Sequence, residues 1–146
     1  MNARRILLAG LLAGLLINVL DFITNAVIFG ATWAEVYKGL GRPETPAIPI
    51  FWISFDFVAG VIIAFLYAAM RPRFGAGPKA AIVAGLIEWL ICHLTLASHL
   101  ADGLFPPGLL LGTGALELVS ALAGALVAGR LYREVEPAAR SALGAA

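Results

Sequence analysis

Four runs of apolar residues, at 6–29, 48–70, 80–100 and 109–129, occupy most of a 146-residue chain. Each is close to the ~20 residues that carry an α-helix across the hydrocarbon of a bilayer. A backbone in hydrocarbon must satisfy its own N–H and C=O groups, so only helices or a closed barrel are open to it, and uninterrupted apolar runs of this length select helices. The composition agrees: 61% of residues are hydrophobic and 13% charged, where a soluble domain carries about 25% charged, and the mean hydropathy is +0.93. The sequence predicts an all-α integral membrane protein, a four-transmembrane-helix bundle that forms a single membrane domain over 1–146, with the lipid bilayer as its partner. No separate soluble domain fits beside it.

The first run follows Arg4 and Arg5, as a signal peptide would, but it exceeds the usual ~7–15 apolar residues and no A-x-A-like site follows it. It reads as a retained helix. In a four-span arrangement Arg4, Arg5, Arg71, Arg73, Lys79, Arg130, Arg133 and Arg140 fall on one side, against Lys38 and Arg42 on the other. The positive-inside rule then places both termini in the cytoplasm, in a prokaryotic cytoplasmic membrane. The outer segment TWAEVYKGLGRPETPAIP carries Thr32 and Glu35 at capping-box spacing, which predicts a short interfacial helix at about 33–39. Trp33, Tyr37 and Trp52 are expected at headgroup depth in an aromatic belt. RPRFGAGPK reads as a tight inner turn, DGLFPPG as the second outer turn, and YREVEPAARSALGAA as a frayed tail. Cys92 is the single cysteine, so an intrachain disulfide is excluded.

AGLLIN (13–18) is echoed by AGLIEW (84–89), and DFVAG (56–60) by ELVSA (117–121). Both hairpins start from the same side, which suggests a parallel repeat of two helical hairpins about an axis along the membrane normal.

The polar residues inside the spans point to function. Asn18, Asp21 and Asn25 are spaced i, i+3 and i+7, on one helical face continuous with Leu11 and Gly14. Asp56 shares a face with Trp52, Ala59, Gly60, Ile63 and Tyr67. Ala81, Gly85, Glu88, Cys92, Thr95 and His99 form a third stripe, and Thr113, Glu117, Ser120 and Gly124 a fourth. Each span therefore carries one acid. At ~1.5 Å rise per residue from the basic end, Asp21, Asp56 and Glu117 come out at about 20–24 Å and Glu88 at about 13 Å. An acid at the bilayer centre costs about 2.5–3.5 kcal/mol, so four facing lipid would cancel the roughly 5–15 kcal/mol by which proteins are stable. They are expected to converge on the interior.

No Lys or Arg lies inside the spans, so four ionised carboxylates brought together in a low dielectric would repel one another severely. Some must be protonated or hold a cation. The candidate proton- or ion-binding residues are Asp21, Asp56, Glu117 and Glu88, with Asn18, Asn25 and Ser120 as neutral ligands and His99 near the outer end as a gate or interfacial group. His93 lies about 140° from Glu88 around the helix and reads as a packing or oligomer contact. The bland alternative is hydrogen-bonding glue between helices, which suits Asn18, Asn25, Thr95 and Ser120.

No H-E-x-x-H or E-x-x-H pair, Cys cluster, Walker loop or dinucleotide fingerprint is present. No cofactor is implied beyond a bound cation, an intramembrane enzyme is only a distant third reading, and nucleic-acid binding has no basis because topology accounts for the few basic residues. The format resembles that of small multidrug-resistance transporters in helix count alone; their functional acid belongs to the first span, whereas here all four spans carry one. No residue is transferred from them. Two functions remain: a small polytopic protein whose intramembrane carboxylate site binds or transports protons, a cation or a small polar solute, or a structural or accessory subunit of a homo-oligomer or larger membrane complex. The topology has a direct test. A reporter active only outside the cell, fused after Ala76, should be silent, and activity there would reverse the orientation.

Overall fold

The computed structural model describes residues 1–42 and 45–133. Most of the tail expected to fray lies outside them. Four long apolar helices of spanning length are present. The first, α1 (Ala3–Phe22), is capped by the Asn2 side chain, which accepts from Arg5 N at 3.1 Å, and runs on through a π-helical turn, Ile23–Ile28. A short helix, α2 (Gly30–Gly39), follows almost without a break. The remaining spans are α3 (Ala47–Phe74), α4 (Pro78–Ala101) and α5 (Pro107–Leu131). Proline opens α4 and α5 in the first turn, where its fixed φ suits the helix and its missing N–H is not needed. Between α3 and α4 the chain reverses through Gly75 (φ 80°) and Gly77 (φ 145°), conformations that a side chain rarely permits.

The predicted spans hold to within a few residues, and four details change. The capping box at Thr32 does not form: α2 starts earlier, at Gly30, behind Phe29 and without a side-chain cap. The π turn leads straight into it, so Thr32 is already inside the helix. Leu11 and Trp52, assigned to interior stripes, are exposed and face outward. Tyr132, assigned to the tail, is buried against Tyr67 with ring centroids 6.2 Å apart.

α1 packs on α3 and α5, and α4 packs on the same two helices, while α3 and α5 meet across the centre. α1 and α4 thus stand at opposite corners. Without water to drive association, helices in lipid gain from close contact between small residues. Gly10 and Gly14 of α1 meet Gly60 of α3 so closely that a Cβ on Gly60 would overlap Gly10 O and Gly14 N. Gly85 of α4 meets Ala121 and Ala125 of α5 in the same manner: a Cβ there would lie 3.0 Å from Ala121 O and 2.9 Å from Ala125 Cβ. The buried cluster at the arginine-rich end consists largely of alanines, with Ile6, Ile17, Ile63, Tyr67 and Tyr132. Close packing recurs toward the other end, where a Cβ on Gly112 would lie 2.5 Å from Phe29 Cζ, and polar side chains are interleaved with it.

Overpacking costs typically about 1–3 kcal/mol even where side chains can yield, and at Gly60 the obstruction is backbone. Gly60→Val should sharply lower the thermal midpoint and the folded yield in detergent. Gly108→Ala, at a position with nothing within 4 Å of the added Cβ, should leave both unchanged.

Candidate functional site

The π-helical turn sets up the polar half. A π turn pairs i with i+5, as Phe29 N does with Thr24 O at 3.0 Å, so carbonyls at its edge lose their regular donors. Asn25 lies in this turn, and its Nδ2 donates to Asp21 O at 3.2 Å. The same Nδ2 donates to Glu117 Oε1 on α5 at 3.2 Å, while Asn25 Oδ1 accepts from Trp33 Nε1 of α2 at 3.1 Å. Both ends of one amide are used. Trp33, expected in the interfacial belt, directs its indole N–H to Asn25 and packs its ring edge-on against Phe105.

Glu117 is approached from its other side by α4. His93 Nε2 lies 3.1 Å from Glu117 Oε2, a close contact rather than an aligned hydrogen bond. His93 Nδ1 lies 2.9 Å from Trp89 O. The indole of Trp89 stacks on the imidazole at 4.7 Å and donates from Nε1 to Gly114 O at 2.9 Å, which holds the ring in place. Gly114 makes room for it: a Cβ there would stand 3.1 Å from His93 Cδ2. Beside His93 a cleft of about 390 Å³ lies between α4 and α5, lined by Leu96, Leu100, Leu110 and Leu118 among others. That side of the pair is apolar.

A carbonyl oxygen only accepts, so the contact of Nδ1 with Trp89 O is favourable when Nδ1 carries a hydrogen. Nε2 then faces Glu117 Oε2 either as a second N–H beside a carboxylate or as a bare nitrogen beside a protonated carboxyl.

The other acids surround this pair. Asp56 and Glu88 are each 8% exposed, which places both away from lipid. Asp21 has a buried Oδ1 without a hydrogen-bond partner. Asp21, Asp56, Glu88 and Glu117 lie within electrostatic reach of one another, and Ser120 approaches Asp21. Glu88 Oε1 accepts from Cys92 Sγ at 3.3 Å. Among the described residues no group of three Asp, Glu, His or Cys side chains is placed to hold a metal ion.

Not every candidate joins the cluster. Asn18 Nδ2 donates to Gly14 O at 3.0 Å and to Ile53 O at 3.2 Å, which ties α1 to α3. Ser120 stays at the edge of the cluster, near Asp21, with its Oγ donating to Leu116 O in its own helix at 3.4 Å. Thr95 is exposed, and His99 packs edge-on against Phe105 with Nδ1 buried. His93, Trp33 and Trp89 are the residues that stripe reasoning missed. Compared with protein-family models, curated proteins and solved structures, the chain matches none.

The network has an energetic signature. Interhelical hydrogen bonds in membranes average about 0.6 kcal/mol and reach about 1.7. A double-mutant cycle on Asn25→Ala and Glu117→Ala, read by unfolding in mixed micelles, should give a coupling energy in that range. The same cycle on Asn18→Ala and Glu117→Ala should give none, because Asn18 bonds to backbone elsewhere.

Proposed function

We propose that the protein is a small proton-binding membrane bundle, coupled to movement of protons or of a small polar solute, in which His93 and Glu117 share the exchangeable proton. One observation carries this reading: the His93 ring lies between a carbonyl acceptor, Trp89 O, and a carboxylate oxygen of Glu117, close enough for a proton to pass between imidazole and carboxyl. Histidine is the side chain whose charge changes most readily near neutral pH. Intramembrane acids are costly enough that a functional role is their default reading. Asp21, Asp56 and Glu88 form the surrounding acidic reservoir, and because the α4–α5 cleft is apolar, exchange runs on the α1 side past Asp21 and Asn25. Protons are favoured over a metal ion by the absence of a three-ligand cluster among the described residues.

The two hairpins contribute unequally to such a site. Gly14 against Gly60 in the first is matched by Gly85 against Ala121 in the second, at the positions paired by the sequence echo, and this supports descent from a parallel repeat. Asp56 and Glu117 are the equivalent acids. Only Glu117 has acquired a histidine.

Infrared difference spectroscopy of the purified protein in lipid tests the proposal. As pH is stepped across the neutral range, a protonated-carboxyl stretch should change in the wild type and be altered in Glu117→Gln, which keeps the size and bonding capacity of the protonated acid but cannot titrate. Liposomes with Asp21→Asn or Glu117→Gln should take up fewer protons at normal protein abundance. If no intramembrane carboxyl responds to pH, the bundle is an accessory subunit and its polar groups are glue.

A further inference from the structure

The opposite end of the bundle carries a second site of different chemistry. A cleft of about 370 Å³ opens where α3 ends, α4 begins and α5 ends, lined by Tyr67, Arg71, Gly77, Arg130, Tyr132 and Arg133 among others. Its floor is sealed by the two tyrosines, each 2% exposed. Their hydroxyls are fixed by backbone donors: Gly77 N donates to Tyr67 at 3.2 Å, and Asn2 N donates to Tyr132 at 3.2 Å. The Arg71 guanidinium lies over the Tyr132 ring, 5.7 Å from its centroid. Arg5 donates from Nη1 to Arg133 O, which ties the start of α1 to the segment after α5.

Topology alone requires cations at this end, not that they meet. Arg4, Arg73 and Lys79 share the end and do not line the cleft, whereas Arg130 at the end of α5 and Arg133 just after it reach the cleft beside Arg71 of α3. The described lining contains no carboxylate; Glu134 and Glu136, next in the chain, lie outside the described residues. The first turn of α4, a 24-residue helix, opens at the Gly77 edge, and the positive end of its dipole adds to the field. Guanidiniums bind phosphate oxygens through paired N–H donors. The cleft lies at the end of the apolar spans, at the level of lipid headgroups, where basic pockets between transmembrane helices take anionic headgroups.

We propose that this cleft binds phosphate, with the headgroup of an anionic phospholipid the source that its depth favours. The site is independent of the His93–Glu117 pair. Native mass spectrometry of the full chain, delipidated in detergent and titrated with phosphatidylglycerol, phosphatidylcholine or inorganic phosphate, tests it. One phosphatidylglycerol should bind about tenfold or more tightly than phosphatidylcholine, as expected from ~1 kcal/mol for each basic residue near a membrane surface. Arg130→Gln/Arg133→Gln, at two exposed positions, should abolish the preference, and Arg73→Gln/Lys79→Gln should retain it. Millimolar inorganic phosphate that displaces the lipid would establish the same site with free phosphate as ligand, and failure to displace it would establish the lipid. Equal binding of the two lipids, a preference that survives Arg130→Gln/Arg133→Gln, or one equally lost in Arg73→Gln/Lys79→Gln would overturn the proposal.

Discussion

A polar group placed in hydrocarbon has no water to turn to, so it must find its partner within the chain. That constraint organises this bundle. Four acids, one per span, cannot face lipid, and each helix is rotated so that its acid points toward its neighbours. The small residues around them let the backbones approach until side-chain polar atoms can touch across helices. Gly14 with Gly60, and Gly85 with Ala121, set that approach for each hairpin. The buried cluster at the arginine end is built largely from alanine.

The π turn in the first span follows from the same constraint. A regular helix through Ile23–Ile28 would keep its own carbonyls satisfied and leave the Asn25 amide with less to bond. The wider turn aims Asn25 at Glu117, and it carries the chain directly into α2, so that Trp33 folds back onto Asn25. One local departure from regular geometry links three helices. Asn25 bonds at both ends to side chains and at Nδ2 also to Asp21 O, which makes it the joint between the outer helix and the carboxylates.

The spans were legible in the sequence because their length and apolarity are set by the bilayer, and burial of Asp56 and Glu88 was legible because exposing an acid there is so costly. Glu88, Asp56 and Ser120 are buried as the stripes implied. The partners were not legible. Treating each helix as having one interior stripe assigned His93 to packing, yet α4 touches α3 on one side and α5 on another, so its interior arc is wide enough to include both Glu88 and His93. Trp33 was hidden by the π turn, which no local spacing announced. Leu11 and Trp52 followed the same stripe logic to the wrong face, since both are exposed. Tyr132 was assigned to the tail because the apolar run stops at 129, although an aromatic residue three positions on still reaches the core.

The contact between His93 and Glu117 bears the most weight, since the shared proton depends on it. Solid-state NMR of the protein in lipid, with 15N in the histidine rings and 13C in the glutamate carboxyls, measures it directly by dipolar recoupling. The account predicts strong dephasing of one ring nitrogen, consistent with Nε2 at 3.1 Å from Glu117 Oε2, and its loss in Glu117→Ala. A wild-type spectrum with no histidine nitrogen coupled to a glutamate carboxyl would contradict it.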